Sequence, residues 1–550
     1  MRVCFSDPVE GLAPTTSRLV EFAGFMVAGE RKRRHSAALA TRRWASPSPG
    51  TLEGHSFMHR IVFRPALSMA LVVGLIVGLS ACTTHPPPPH VAAAAVPSAW
   101  QAPLPHGGQV EQLAQWWART NDPVLVSLID AAQSVSPTLA QARSRVQQAR
   151  VTQVTSRAAL LPTLDAQASA SRGNTAPFTS PATTAQAGLQ AGWEIDLFGA
   201  NRATSNAATE RLAGAQALWH EARVSVAAEV ALQVSSLRTC LQQLEVATRD
   251  AQSRSDTARL SQDSERAGFT APATAALANA SAAEAAARTA QQRMLCDVDF
   301  KTLVALTGQE EPRLREQITA RSAPVADETL FTIAALPVQV LSQRPDVYNA
   351  EREVAAASAE VGSAQAQQYP RLSLTGNVGT AWTRVGGATT DLNTWSFGPL
   401  ALTVPLFDGG RRAAQVDAAR ARYDEAVAVY QSSVRQAVSE VEQALVRLQS
   451  TAERTGSARA AVQGYRTSFN ATDARWRAGM ASLVELEDAR RTLLAAQTTL
   501  VALQHERQSA WVSLYRAAGG GWDAAAPGLS SDVPVGHRVS PAVLSPRSAS

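Results

Sequence analysis

The chain repeats itself at a nearly constant offset. Pro137 is answered by Pro345 and Pro162 by Pro370, each 208 residues on. Leu197-Phe198 returns as Leu406-Phe407 after 209 residues, Arg266-Ala267-Gly268 as Arg477-Ala478-Gly479 after 211, and Gly308 as Gly519 after 211. An offset that drifts by only three residues across five ordered anchors is a tandem duplication, so both halves must share one fold. Each half joins a strand pair to helices too long for an ordinary globular core.

The helices follow from spacing. From Arg411 to about Ser468 there is no proline, and Val416, Ala419, Tyr423, Val427, Tyr430, Val434, Val438, Val441, Leu445 and Leu448 recur at threes and fours. That is a coiled-coil stripe. Its counterpart runs from about Arg202 to Ser261. Roughly 60 residues at about 1.5 Å each give about 90 Å of helix, enough to cross a compartment. Each long helix is predicted to turn at the Arg-Ala-Gly corner, at Gly268 and Gly479, because glycine suits the left-handed residue that ends a helix. Pro272 then fits a first-turn position. Return helices are expected at 273–307 and 481–516, and pre-hairpin helices at 122–160 and 346–368. The stripe is only partly apolar and rich in alanine, which lets helices approach closely and leaves a wide polar face, as a water-filled tube requires.

The strands follow from alternation. Leu189, Ala191, Trp193, Ile195 and Leu197 fall on one face, and Gly188, Gln190, Gly192, Glu194 and Asp196 on the other, a period of two. In the second half Leu372, Leu374, Val378 and Trp382 oppose Ser373, Thr375, Asn377 and Gly379. Loops are expected at 171–184 and 384–394, and a less regular return strand, with Pro399 and Pro405, from Trp395 to Leu406. A soluble sheet with one face on a core would alternate similarly. Read as membrane strands, four cannot close a barrel, and open edges cannot sit in lipid. They would close with strands of other copies, and two, three or four copies remain open on the residues alone.

The front of the chain favours the membrane reading. Met58, His59, Arg60 and Arg64 precede an apolar run from Ala66 to Gly78, which ends at Leu79-Ser80-Ala81-Cys82. This is a secretory signal closing on a lipoprotein box, with Cys82 as the acylated mature N-terminus. The run is short for a transmembrane span. Thr83 after the cysteine, in place of an aspartate, favours the outer membrane. Residues 1–57 precede a complete signal and read as an upstream extension. Residues 1–81 carry 10 Lys/Arg against 5 Asp/Glu, which leaves the remainder with 41 of each. The mature chain is therefore formally neutral, and no basic patch for nucleic acid remains. Pro86 to Pro89 read as a stiff polyproline spacer, and 523–550 as a disordered tail.

Trp193-Glu194-Ile195-Asp196-Leu197-Phe198-Gly199, Leu303-Val304-Ala305-Leu306-Thr307-Gly308, Arg344-Pro345-Asp346-Val347 and Val404-Pro405-Leu406-Phe407-Asp408-Gly409-Gly410-Arg411 together form a recognisable pattern. With them the chain resembles the TolC-like outer-membrane efflux family, in its NodT-type lipoprotein branch, over about 100–520. The resemblance implies an α+β membrane protein of two tandem repeats. It implies a homotrimer with one shared 12-stranded barrel, four strands per chain, above a helical coiled-coil tunnel. The implied partners are a periplasmic adaptor (a membrane fusion protein), an inner-membrane RND-type pump and outer-membrane lipid. It also implies an acidic iris at the periplasmic tip, carried by position onto Glu485 and Asp488. Spacing i, i+3 puts both on one helix face. Trp476 stands where relatives carry a tyrosine of the closed gate.

The expected organisation is an upstream extension 1–57, signal 58–81, lipidated linker 82–100, first repeat 101–309 with its hairpin at 162–200, inter-repeat segment 310–344, second repeat 345–522 with its hairpin at 370–408, and tail 523–550. The inter-repeat segment, with its apolar run Leu330 to Leu341, is expected to form a collar together with Val110 to Arg119. No catalytic, cofactor or metal motif is found. Cys240 and Cys296 lie 28 residues either side of Gly268, so antiparallel helices bring them to similar heights. In an oxidising periplasm they form a disulfide, or else two independent buried thiols. The expected function is a passive exit duct of a tripartite pump for small molecules such as drugs. The alternatives are a duct for type I protein secretion or heavy-metal export, and a lipid-anchored coiled-coil adaptor.

Overall fold

A computed structural model describes residues 96–97, 100–102, 117, 122–174, 180–320, 341 and 343–522. Cys82, the proline spacer, the tail after 522, the run 330–340 and all of 110–119 except Trp117 lie outside the described residues.

From Pro137 and from Pro345 onward both halves use the same order of elements: a helix, two strands, a long helix and a return helix. The first has α1 (Pro123–Val135), α2 (Pro137–Ala158), β1 (Thr163–Gly173), β2 (Ala182–Ile195), α3 (Ala200–Arg266) and α4 (Pro272–Thr307). After α5 (Glu311–Ala320), the second has α6 (Pro345–Ala366), β3 (Arg371–Val385), β4 (Ala388–Thr403), α7 (Arg411–Arg477) and α8 (Leu483–Ala517). The anchors mark equivalent joints. Pro137 and Pro345 each open a 22-residue helix, and α3 and α7 are both 67 residues long. At about 1.5 Å per residue each spans about 100 Å.

Three elements differ from the expected ones. The helix expected over 122–160 is two helices. Pro137 lacks an N–H and disfavours helix at the residue before it; Ser136 is extended, and its hydroxyl accepts the Leu139 N–H at 3.4 Å. The long helices do reach the expected corners, ending at Arg266 and Arg477, so they are longer than the stripe followed to Ser261 and Ser468; in α7 the added turns carry Phe469 and Trp476, which pack in an apolar cluster. The loop expected at 384–394 is mostly strand. Gly386 and Gly387, at φ 57° and 89°, make a two-residue hairpin turn between Val385 and Ala388. The run of Gly and Thr around this turn hides the start of β4.

The four strands form one antiparallel sheet in the order β1-β2-β3-β4. The register aligns the alternating faces across all four. Ala166, Leu189, Val378 and Trp395 make one row, and Asp165, Gln190, Asn377 and Ser396 the next. On the polar face Gln167 donates to Gln190 at 2.8 Å. An irregularity between Leu374 and Gly376 places Leu400 and Phe397 opposite them, so β4 holds one extra residue there, a bulge that accommodates Pro399. At the strand–helix joints an aspartate caps the long helix. Asp196 accepts from the backbone N–H groups of Asn201 and Arg202 at 3.2 and 2.8 Å, and Asp408 from Gly410 and Arg412 at 3.0 and 3.2 Å.

Below the sheet α3 packs on α2, α4, α6 and α8, and α7 on α6 and α8. The largest apolar cluster lies at mid-length, where Leu128, Leu237, Phe300, Leu303, Leu445 and Leu514 are buried together with Leu314 and Ile318 of α5. The Arg344-Pro345-Asp346 motif closes this region. The buried Arg344 guanidinium pairs with Asp346 at 2.6 Å and Glu440 at 2.9 Å, and donates to the Ala517 carbonyl at 2.9 Å. Gly519 lies against the same backbone at φ 83°, and a Cβ there would sit 1.9 Å from the Gln343 carbonyl oxygen. Gly519→Ala is expected to cost about 2–3 kcal/mol through strain and forced displacement. A thermal midpoint equal to wild type in a melting assay would contradict this.

Candidate functional site

The far ends of the two helical hairpins are built alike. At the first corner Gly268 (φ 79°) donates to the Glu265 carbonyl and Phe269 to that of Ser264, both at 2.8 Å. At the second, Gly479 (φ 74°) donates to Trp476 at 2.9 Å and Met480 to Arg475 at 2.8 Å. The left-handed glycine lets the next N–H reach back to a carbonyl of the last turn. Pro272 then starts α4 and a capping box starts α8. In that box Ser482 Oγ accepts the Glu485 N–H at 3.2 Å, and the Glu485 carboxylate accepts from the Ser482 N–H at 3.4 Å.

Glu485 is therefore both a helix cap and a candidate gate acid. Its carboxylate is half exposed and lies 3.6 Å from Arg475. Asp488, one turn on, is exposed and paired with Arg491 at 2.5 Å. Both acids face outward from the corner, and each has an arginine beside it that the sequence reading did not foresee. Trp476 packs with Phe469 against Ala258, Ala278, Leu483 and Leu486, a small apolar cluster that joins α3, α4, α7 and α8.

Sequence reasoning missed a second cluster just behind the corners. On α3 the positions Asp250, Arg254, Thr257 and Ser261 are all buried. Arg254 binds Asp250 at 2.9 Å, Ser281 of α4 at 2.6 Å, and Glu487 of α8. Glu487 also pairs with Arg490 and accepts from Ser281 at 2.9 Å. Arg490 is 3 % exposed and donates to Ser253 and Thr257 at 3.1 and 3.0 Å. Burial holds its guanidinium below the ordinary value; the Glu487 charge opposes this and Arg254 adds to it. Asp250 Oδ1 and Arg490 Nε have no hydrogen-bond partner among the described residues. An incompletely satisfied buried ionic network of this kind is weakly stabilising when whole and costly when broken. Its signal was present in the stripe, whose spacing of fours and threes persists to Ser261 while its residues become polar.

Higher in the first hairpin, Cys240 of α3 and Cys296 of α4 are bonded, with Cα atoms 5.5 Å apart. Among the described residues no group of His, Cys, Asp and Glu is arranged to hold a metal, and no helix is long and apolar enough to cross a membrane.

A sheet with one apolar face, carried on two long helices of about 100 Å each and their shorter return helices, defines a membrane-seated duct protein built from two repeats. The chain belongs to the outer membrane efflux protein family, whose model matches residues 128–309 and 336–520. Both repeats are thus covered. It is 29 % identical over 444 residues to the solvent efflux pump outer membrane protein SrpC of Pseudomonas putida, covering 78 % of this chain and 93 % of that one. It is 30 % identical over 477 residues to the pyoverdine export outer membrane protein OpmQ of Pseudomonas aeruginosa, covering 82 % and 96 %. Among solved structures, the outer-membrane channel OprN matches at a TM-score of 0.67 and 27 % identity, over 80 % of this chain and all of that one. VceC of Vibrio cholerae matches at 0.64 and 28 %, over 74 % and 99 %. The protein is an outer-membrane channel of the efflux class, and its helices extend into the periplasm.

Proposed function

We propose that three copies of this chain close one barrel and one tunnel, and that the duct exports small molecules passively for an inner-membrane RND-type pump reached through a periplasmic adaptor. The observation that carries the reading is an unfilled seam. Inside one chain the repeats meet where β2 pairs with β3, and there Phe198 stacks on Tyr369 at 4.9 Å. By the repeat offsets, Phe407 corresponds to Phe198 and Leu161 to Tyr369. Phe407 is 94 % exposed and Leu161 63 %. β1 and β4 each have one edge without a strand partner among the described residues. A neighbouring copy that repeats the internal seam covers both side chains and pairs both edges, as a sheet in lipid requires. Acylation at Cys82 would anchor the same duct to the outer membrane.

In this reading Glu485 and Asp488 of three chains face one narrow entrance, where carboxylates favour cations and resist crowding. The test is single-channel conductance of the purified protein in planar bilayers, compared with Asp488→Ala and Glu485→Ala. Small, cation-selective openings in wild type are expected, with conductance at least about twofold larger in Asp488→Ala and weaker cation preference in both variants. Unaltered conductance and selectivity would remove the acids from the gate. A folded oligomer with no pore would overturn the duct.

A further inference from the structure

Resting on the reading that the sheet crosses the outer membrane, we infer that Arg172 and Arg384 form a binding site on its outward face for the phosphate of an outer-leaflet glycolipid. The apolar face of the sheet is a ladder of rows. It begins at the helix end with Ile195, Leu372 and Leu402, then Trp193, Leu374 and Leu400. It ends near the hairpin turns with Arg172, Thr183, Arg384 and Thr389. Strand alternation places both arginines on the same face as Leu189, Val378 and Trp395, with Thr183 between them in register. Two strand spacings separate their Cα atoms, about 10 Å, so two extended guanidinium groups can converge on one phosphate over the Thr183 hydroxyl. Both arginines are exposed, and neither has an ion-pair partner among the described residues.

Height sets the ligand class. Thr183 is 12 residues along β2 from Ile195, about 40 Å of strand. At the tilt usual for membrane barrels, about 45°, that projects to about 28 Å. The arginine row therefore lies one hydrocarbon thickness above the base of the apolar face. Trp382, one row lower, sits where an aromatic girdle belongs. A lipid-facing arginine is disfavoured at mid-bilayer and tolerated at the interface, where the outward rows carry their only charges, Arg172, Arg384 and Asp391. Asp391 pairs with Trp382 one row below, diagonal to Arg384, and weakens the site by its charge. Guanidinium groups match phosphate oxygens in fork geometry and stay charged. At this depth on the outer side, the phosphates available in a fixed plane are those of the leaflet's glycolipid.

The experiment counts bound lipid by native mass spectrometry of the full mature protein in detergent, with bisphosphorylated lipid A as probe, beside dephosphorylated lipid A and inorganic phosphate. Wild type is expected to hold bisphosphorylated lipid A at least about tenfold more tightly than Arg172→Gln/Arg384→Gln. Dephosphorylated lipid should bind both alike, and Asp391→Asn should bind more tightly than wild type. Arg371→Gln, on the inward face, should match wild type. Equal retention by the double variant overturns the site. Displacement of the lipid by millimolar inorganic phosphate overturns the lipid assignment in favour of a free-anion site. Vesicle insertion keeps the two readings apart: a wild-type protein that fails to insert sinks the membrane reading, whereas insertion with unchanged lipid retention sinks only the arginine site.

Discussion

Glu487→Gln is expected to loosen the corner end of α8 from α3 and to destabilise that end by about 3–5 kcal/mol, the usual cost of leaving buried charge without its partner. Glu487 is the only residue that binds both Arg254 and Arg490 among the described ion pairs. Without its charge two buried guanidinium groups face each other with Asp250 as their remaining buried acid, and Ser281 loses a charged acceptor. Amide exchange should rise around 250–262 and 483–492, while the mid-length core around Phe300 and Leu514 should stay protected. Because Glu487 joins the first helical hairpin to the second, the same change should lengthen channel open times. A compensating variant separates charge from packing: Arg254→Met/Glu487→Leu/Arg490→Leu should recover much of the stability, since apolar replacement of a whole buried network is far less costly than breaking it. Wild-type exchange rates in Glu487→Gln would show that the network carries no load.

How far the sequence reached depends on the kind of signal. The duplication was legible because joints are made by residues with one conformational use. Pro137 and Pro345 start helices, and Gly268 and Gly479 end them with positive φ. The stripe falls short of the helix ends because it follows hydrophobicity, and beyond Ser261 and Ser468 the chain holds Gln262, Asp263, Ser264 and Glu265 in α3 and Asn470, Thr472 and Asp473 in α7. The β4 start was missed because a strand exposed on both faces of a single chain has no apolar pattern to obey around Thr389 and Thr390. The candidate gate acids were reached through resemblance, and position alone does not say that Glu485 also caps its helix or that Arg491 lies against Asp488. The buried network was least legible. Asp250–Arg254 and Glu487–Arg490 read as ordinary surface pairs at helical spacing. Only the packing of α3 against α4 and α8 turns them inward.

Cys240→Ser/Cys296→Ser is expected to cost the first helical hairpin about 4 kcal/mol. A cross-link across a sequence separation of 56 residues removes that much loop-closure entropy from the unfolded chain in the entropic model, about 4 kcal/mol at room temperature. Nonreducing peptide mapping of the wild type should recover the two cysteines in one linked fragment; two free thiols would end the proposal. In the second repeat the equivalent positions, at the 211-residue offset, are Thr451 and Arg507, so the second hairpin has no such staple. The double variant should therefore speed exchange in α3 and α4 near these sites and leave α7 and α8 nearly unaltered. The stapled hairpin also carries Asp250, Arg254 and Ser281, the half of the ionic network that receives Glu487. Losing the staple should let that half shift before Glu487 is removed. The combination with Glu487→Gln should then cost less than the two effects summed, by about 0.5–1 kcal/mol, because both act on one packed contact. Strict additivity would mean that the staple and the network stabilise the hairpin independently, and that the rigidity of α3 near the corner comes from its packing on α4 and α8 alone.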